Sequence, residues 1–434
     1  MIQKKESRSF GALVYIVAIV TAAMIFPLIY ELAESYSYTS EKTIGESEVS
    51  GERNAKNKNY SVIENTIDLS MLKNTEFGAL SLVSARVLNS KSLVLFCSVR
   101  IELDAGEGGE YAPPSYETRL QIAALKNLRD SEDGGEGYYN AKGDLEIYGR
   151  ALPARYGLLE SVQSGDFVFT DFGDGTFFMS NSKNAFLFDA DNMKMAANYP
   201  YPPNYNIYQS AMSNNKEMLA LAAEEGFFIN NLKESNLAIN YYDLKELIAT
   251  TTNDNGVKLT ARYPMWSSDD SRIFYKLYAD DSIKNAGVTA TSPGGNEQLV
   301  ALDCSDFLFM ANDSIFYYFS SSTANTATGP GILFRCGYFS PSEKKMSDIM
   351  RSQVYYFDVD ISQNGNLLAA LSYNGNLVKL SIIDIFTKKL IYSCLYSEIY
   401  DFSFSPDEKN LLVYGTADGK KSLKLINIDW ESAS

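Results

Sequence analysis

Three aspartates are the residues of this chain whose types and spacing could support chemistry. Asp358 and Asp360 alternate with apolar residues in the segment 356–361, and Asp401 occupies the matching place in a similar segment further along. Such alternation is typical of a strand, which would place the first two carboxylates on one face. Paired carboxylates can act as general acid and base on a glycosidic bond. The ordinary alternative is a polar lining of a solvent-filled channel.

Other catalytic and cofactor-binding patterns are missing from the sequence. The chain contains no histidine, which excludes Ser-His-Asp triads, Cys-His nucleophiles and histidine zinc sites. Its four cysteines form no Cys-x-x-Cys pair, and no glycine-rich phosphate loop is present. The short acidic loops lack the spacing of a calcium-binding EF-hand. We therefore predict a protein that is not an enzyme and has no cofactor or bound metal.

A proline-rich loop supplies the other candidate contact residues, Tyr199, Tyr201 and Tyr205. The sequence Tyr-Pro-Tyr-Pro-Pro-Asn-Tyr favours an extended polyproline conformation, which would separate the three rings. Exposed tyrosines make good contacts with peptides and sugars. The alternative is that this loop packs its own rings onto the neighbouring sheet.

The elements that would position these residues come from a repeated strand pattern. A turn at Ser405-Pro406-Asp407 separates an alternating strand from an apolar one, and related turns begin at Ser362 and Ser267. A strand meander that recurs about every 40 to 50 residues is typical of a β-propeller. The sequence therefore predicts an all-β propeller, in which Asp358, Asp360 and Asp401 would lie on innermost strands and line a central channel.

The number of units follows from the apolar second strands. Their predicted starts are Leu93, Phe167, Met218, Ile273, Ile315, Leu367 and Leu411. These seven starts predict seven blades, with six or eight as alternatives. The expected type I′ turns between the second and third strands are Asp174-Gly175, Glu225-Gly226, Asn374-Gly375 and Asp418-Gly419. The last blade has only three strands in sequence, so we expect a strand within residues 60–70 to complete it and close the ring.

Two motifs resemble those of known propeller families. The segment Tyr263–Phe274, followed by Pro293-Gly294-Gly295, resembles the repeat of TolB-type propellers, although Ser268 replaces the proline of that repeat. The turn Ser405-Pro406-Asp407 is similar to turns of WD-repeat propellers. The resemblance implies a propeller over residues 60–430 that binds proteins or peptides. The whole chain also looks like bacterial membrane-anchored propellers.

The N-terminal region predicts a membrane anchor. Residues 10–30 carry no charge and are long enough to cross a bilayer as one helix. Lys4, Lys5 and Arg8 precede this segment, so the tail 1–9 is expected in the cytoplasm and the rest of the chain outside. A cleaved signal peptide is the alternative. Residues 31–59 are polar and charged, which predicts a tether between the bilayer and the propeller.

These features together predict the function. The formal net charge of −16 disfavours a nucleic-acid partner. We expect a single-pass, membrane-tethered propeller outside the cytoplasm that binds or scaffolds a protein or peptide. The alternative is an envelope carbohydrate-active or sugar-binding propeller that uses the channel carboxylates.

Overall fold

The computed structural model describes most of the predicted propeller. The described residues are 58–89, 92–103, 115–131, 139–223, 226–233, 239–243, 259–279, 285–291, 298–301, 306–309, 315–326, 329–340, 345–352, 354 and 356–432. The predicted tail 1–9, membrane helix 10–30 and nearly all of the tether 31–59 lie outside them. Within this described part of the chain, no helix has the length and apolar character that a membrane span requires.

The described chain is built almost entirely from strands, which group into units of four. The first unit contains β2 (Ser81–Asn89), β3 (Ser92–Leu103), β4 (Ser115–Ser131) and β5 (Tyr139–Ile147). The second contains β6 (Val168–Asp171), β7 (Thr176–Ser180), β8 (Asn184–Asp189) and β9 (Lys194–Pro200). The third contains β10 (Ile207–Met212), β11 (Met218–Ala223), β12 (Gly226–Asn231) and β13 (Ile239–Asp243). The fourth contains β14 (Leu259–Trp266), β15 (Ile273–Ala279), β16 (Asn285–Thr291) and β17 (Gln298–Ala301).

The later units follow the same order. The fifth contains β18 (Asp306–Phe309), β19 (Ile315–Thr326), β20 (Gly329–Ser340) and β21 (Lys345–Ser352). The sixth contains β22 (Tyr356–Ile361), β23 (Leu367–Asn374), β24 (Leu377–Asp384) and β25 (Lys389–Tyr396). The last unit joins β26 (Glu398–Phe404), β27 (Asn410–Ala417) and β28 (Lys420–Ser432) to β1 (Lys58–Ile67). Between β5 and β6 lie a 3-10 turn, Ala154–Tyr156, and a short helix, Leu158–Ser164.

The first and last strands close the structure, as the sequence predicted. β1 pairs antiparallel with β28 over its whole length, from Lys58 opposite Ser432 to Ile67 opposite Leu423. It also pairs in parallel with β5, so the first and last units form one eight-stranded sheet. Glu64 on β1 accepts a hydrogen bond from the Lys424 ammonium at 2.7 Å. Pairing the two chain ends in one sheet protects strand edges that would otherwise be open.

Side-chain contacts further fasten β1 to the neighbouring sixth unit. The Tyr60 hydroxyl donates to Asp384, and the Tyr392 hydroxyl donates to Glu64. β1 begins at Lys58, two residues before the predicted boundary at residue 60. The predicted pairing of this strand with the last unit is confirmed.

A recurrent polar turn joins the first and second strands of four units. It begins at Ser213, Ser267, Ser362 and Ser405. In each case the serine Oγ accepts a hydrogen bond of 2.9–3.0 Å from the backbone N–H five residues later. The residues three positions after the serines have φ between 56° and 71°; they are Lys216, Asp270, Gly365 and Glu408. Three of these turns were predicted from the sequence, and their role in turn formation is confirmed.

These turns also bind the units to one another. Asp270 accepts hydrogen bonds from the backbone N–H groups of Asn214, at 2.7 Å, and Asn215, at 2.9 Å, both in the preceding turn. Glu408 accepts from the backbone N–H of Asn364 in the same way. In both cases the carboxylate of the positive-φ residue accepts hydrogen bonds from the backbone of the turn in the preceding unit.

The predicted second strands are largely correct, with one exception. Six of the seven predicted starts coincide, within one residue, with the starts of β3, β11, β15, β19, β23 and β27. Phe167 was assigned to a second strand, but it directly precedes β6, the first strand of its unit. The prediction was wrong because β6 and β7 are both apolar, and hydrophobic pattern alone does not order two such strands.

The predicted hairpin dipeptides have mixed outcomes. Asp418 and Gly419 both have positive φ, 51° and 73°, and join β27 to β28 as a type I′ turn requires. Asn374 instead pairs with Leu377, so the two-residue loop of β23–β24 is 375–376. The pair 174–175 joins the first and second strands of its unit rather than the second and third. Glu225 lies outside the described residues.

The core lies between adjacent sheets. Phe96 on β3 has its ring centroid 5.4 Å from that of Phe167 and 6.0 Å from that of Phe169 in the next unit. Phe177 and Phe188 stack at 5.0 Å within that unit. Full burial of the rings of Phe96, Phe177 and Phe188 stabilises the fold by about 1.5–3 kcal/mol each. First strands of neighbouring units also contact one another, as β26 contacts β2 and β22 and as β10 contacts β6 and β14, which places these strands on the inner side of the ring.

Candidate functional site

A cavity of about 750 Å³ lies where the last unit meets the first and sixth units. Its walls are formed mainly by β2, β22 and β26, the innermost strands of three successive units, with contributions from the short helix and β27–β28. This volume is within the range of small-molecule or side-chain binding sites. The cavity lies on the β26 side of the last unit, and β28 and β27 separate it from the closing strand β1.

The structure brings the three predicted aspartates together in this cavity. Asp358 and Asp360 line it from β22, and Asp401 lines it from β26. The three carboxyls therefore share one cavity, and their role as ligand contacts stays a prediction. Among the described residues, no group of three or more carboxylate or thiol side chains is arranged to hold a metal ion.

Asp401 is committed to protein contacts. Its carboxylate accepts hydrogen bonds from the Arg86 guanidinium and from the Ser84 hydroxyl, both on β2. Arg86 also donates to the Ala85 carbonyl at 2.8 Å and lies 5.1 Å from the ring centroid of Phe167. The ion pair therefore joins β26 to β2, and the two charges largely cancel.

Asp360 is a desolvated carboxyl held by the backbone. Its Oδ2 accepts a hydrogen bond from the N–H of Phe404 at 2.7 Å, and its Oδ1 accepts from the N–H of Ile361 at 3.0 Å. Burial raises the pKa of Asp360 to about 6, although these two hydrogen bonds and the charge of Arg86 act in the opposite direction. The charged form thus costs free energy at neutral pH.

Asp358 is the carboxyl most available to a ligand. It faces the cavity, and it has no ion-pair partner among the described residues. Its side chain is exposed within the cavity, but the neighbouring strands displace part of its hydration shell. This desolvation, with a smaller contribution from the charge of Asp401, raises the pKa of Asp358 to about 6. Two carboxyls that titrate near neutrality could bind a cation or exchange a proton.

The cavity opens on one identifiable face of the structure. Tyr400, Lys421 and Gln163 line the cavity and are exposed to solvent. Lys421 lies at the start of β28, next to the β27–β28 turn. We call the face that carries the β23–β24 and β27–β28 turns the hairpin face, and the cavity mouth lies on it.

The chain enters from the opposite face. Because β1 is antiparallel to β28 and Lys58 is opposite Ser432, β1 begins at the far end of β28 from the hairpin face. The segment that precedes Lys58 is therefore attached at the face away from the cavity mouth.

The three tyrosines of the proline-rich loop do not form a shared surface with the cavity. Tyr199 is half-buried at the end of β9, and the Tyr201 hydroxyl hydrogen-bonds to Ser210 at 2.7 Å. Burial raises the pKa of both phenols. Tyr205 is 51% exposed, yet its ring centroid is 4.3 Å from that of Phe228. Packing onto the sheet, the alternative given by the sequence, describes Tyr199 and Tyr201.

Sequence reasoning missed Ser84 and Arg86. Both side chains contact Asp401, and they alternate with apolar residues in β2 as Asp358 and Asp360 do in β22. The same search for polar residues on a predicted innermost strand would have found them. Their pairing with Asp401 could not be predicted, because it joins residues more than 300 positions apart in the chain.

Comparison with solved structures identifies the architecture. An oligogalacturonate lyase from Vibrio parahaemolyticus is 10% identical, with a TM-score of 0.52 over 85% of this chain and 98% of that chain. An oligogalacturonate lyase in complex with manganese is also 10% identical, with a TM-score of 0.50 over 85% and 91% of the two chains. The β-propeller domain of Cps50 (Swd1) from Myceliophteria thermophila has 12% identity and a TM-score of 0.38, over 60% and 80%.

These likenesses concern the fold alone, since all three identities are low. No family model matches this chain, and no curated protein matches it. The successive four-stranded meanders, their closure by the first and last strands and the likeness to the two lyase structures agree with one another. The chain therefore has a β-propeller fold.

Proposed function

We propose that this protein is a non-enzymatic propeller that binds a protein or peptide ligand, and that the ligand places a basic group in the cavity between the first, sixth and last units. One observation carries this proposal: the cavity contains three carboxyls, and its guanidinium is paired with Asp401. Asp358 and Asp360 are left without an ion-pair partner among the described residues. A lysine or arginine side chain would supply the missing positive charge.

The state of the two carboxyls supports a cationic ligand. Desolvation raises the pKa of Asp358 and of Asp360 to about 6, so the surroundings of both carboxyls disfavour their ionised forms. A bound ammonium or guanidinium would stabilise both negative charges and lower both pKa values again. Binding of a cationic group would thus relieve an unfavourable electrostatic interaction.

The wider setting of this site is part of the same proposal. The ring has seven blades, formed by the six consecutive four-stranded units and the last unit that β1 completes. Residues 10–30 anchor the chain in a membrane, and the propeller lies outside the cytoplasm. Because the chain enters the propeller at the face away from the cavity mouth, the site would point away from the bilayer. A C-terminal alkaline phosphatase fusion, which is active only outside the cytoplasm, tests the topology.

A peptide selection tests the binding function. The full-length protein in detergent is immobilised, and a phage-displayed library of random peptides is selected against it. We expect enriched sequences that share a lysine or arginine, and we expect Asp358→Asn to reduce their binding about tenfold, the loss expected for a contact worth about 1.4 kcal/mol.

The matched control is Asp429→Asn, which removes one carboxylate from the exposed end of β28, away from the cavity lining. It should leave binding unchanged. A selection that yields no enriched sequence, or peptides that bind both variants equally, would contradict the proposal.

A carbohydrate-active enzyme is the second candidate, because Asp358 and Asp360 both titrate near pH 6 in one cavity. Such values suit a general acid or base. Two structural neighbours are named oligogalacturonate lyases, and this acidic cavity would repel the negative charge of an oligogalacturonate. Release of reducing ends from neutral oligosaccharides, lost in Asp358→Asn, would favour the enzyme; absence of turnover across such a panel would count against it.

A further inference from the structure

We propose that an exposed aromatic surface beside the cavity mouth binds an apolar side chain of the same peptide ligand, next to its basic residue. We call it the aromatic ledge, formed by Phe357 and Tyr373 of the sixth unit. This inference rests on the proposed function, because it assigns a second contact to the ligand of the cavity. The ligand would be a segment of a partner protein with a large apolar residue near a lysine or arginine.

The ledge is exposed and already ordered. Tyr373 is 67% exposed. The Phe357 and Tyr373 rings stack with centroids 4.5 Å apart and planes 23° from parallel. A stacked, exposed tyrosine loses little conformational freedom when a ligand covers it, which is why tyrosine is common among the residues that dominate binding energy.

The ledge continues directly from the cavity. Phe357 precedes Asp358, which lines the cavity, and Leu371 on β23 lines it opposite Asp358. Tyr373 lies two residues beyond Leu371, so it points to the same side of the sheet and closer to the hairpin face. One extended peptide could therefore reach both places, because two residues along a strand span about 7 Å.

The charges around the cavity favour a basic peptide over a second copy of this chain as the ligand. Lys421 stands at the far side of the mouth, where its ammonium lies 4.7 Å from the Tyr400 ring centroid. The interior beyond it holds Asp358 and Asp360. A second copy of this chain, with a net charge of −16, would bring mostly negative charge to that interior. In a peptide with a lysine or arginine near a large apolar residue, the basic group would complement the acidic interior and the apolar side chain would pack on the ledge.

The test compares two exposed aromatic residues on opposite faces of the same unit. Tyr373→Ser removes the exposed ring of the ledge. Phe386→Ser is the matched control, because Phe386 is 59% exposed and follows the end of β24, which lies on the face away from the cavity mouth. The affinity of the full-length variants for a basic peptide selected on the wild type is measured by fluorescence anisotropy.

We expect Tyr373→Ser to weaken binding about tenfold, as for an interface side chain worth about 1.4 kcal/mol, and Phe386→Ser to leave it unchanged. If Tyr373→Ser and Phe386→Ser both bind normally while Asp358→Asn binds weakly, the ledge is refuted and the cavity site stands. If none of the three substitutions changes the affinity, both proposals fail. Peptides selected without an apolar residue near the basic one would also refute the ledge.

Discussion

Replacement of Glu408 tests whether the turns hold the propeller units together. Glu408 is 2% exposed, and it has φ of 59° in the turn that precedes β27. Its carboxylate accepts hydrogen bonds from the backbone N–H of Asn364 and from the Asn366 amide at 3.2 Å, both in the turn of the sixth unit. Glu408→Ala would leave these two donors without their acceptor.

The expected cost follows from these contacts. A hydrogen bond to a charged group contributes about 1.5–3 kcal/mol when its partner is buried. The two bonds share one carboxylate and are not additive, so we expect Glu408→Ala to lower the free energy of unfolding by about 3 kcal/mol. Glu408→Gln keeps one acceptor oxygen and should lose about half of that.

A third variant separates the hydrogen bonds from the backbone strain. Glu408→Gly loses the same contacts but removes the side chain from a left-handed conformation, which costs other residues about 1 kcal/mol. It should therefore be more stable than Glu408→Ala by about that amount. Urea unfolding of the full-length variants, followed by tryptophan fluorescence and circular dichroism, measures all three differences.

Two results would refute this reasoning. One is a Glu408→Ala protein within about 0.5 kcal/mol of the wild type, the range of an ordinary surface substitution. The other is a Glu408→Gly protein less stable than the alanine variant, which would mean that the left-handed turn is not maintained.

Three further predictions concern single residues. Desolvation raises the pKa of Asp360 in the folded protein to about 6, above the ordinary value of an aspartate. The unfolded state therefore ionises first, which should lower stability as the pH rises through this window. The free energy of unfolding of Asp360→Asn, relative to that of the wild type, should therefore increase by about 3 kcal/mol between pH 3 and pH 7.5. A difference between the two proteins that is the same at both pH values would contradict the raised pKa. Trp266→Phe should cost about 1–3 kcal/mol in urea unfolding, because the indole N–H donates to the buried Ala211 carbonyl at 2.9 Å. Gly419→Ala should cost about 1 kcal/mol by the same assay, because Gly419 has φ of 73°.

The repeated units could be predicted from the sequence because their signals are local. A serine that accepts a hydrogen bond from the N–H five residues later needs only a short stretch of chain, as at Ser405 and Asn410. The Asp418-Gly419 turn is equally local. The closing strand was also predictable, because the last unit lacked a fourth strand and residues 60–70 had a strand pattern without a unit.

The candidate site was predictable only in part. Asp358, Asp360 and Asp401 were found because polar residues interrupt apolar innermost strands. Whether each carboxyl is paired depends on another unit: Arg86 neutralises Asp401, and no sequence pattern relates these positions. The ledge was missed because Tyr373 was assigned to an ordinary hairpin and Phe357 to the apolar part of an innermost strand, and the exposure of Tyr373 depends on the packing of neighbouring strands.

The central claim, that the cavity binds a basic group of a peptide, is tested most directly by a double-mutant cycle. Isothermal titration calorimetry would compare a selected peptide with an analogue in which norleucine replaces lysine, or citrulline replaces arginine. Each peptide is titrated into the wild type and into Asp358→Asn. The account predicts that the analogue binds the wild type about tenfold more weakly and that this difference disappears in the variant. Equal binding of both peptides to the wild type would contradict it.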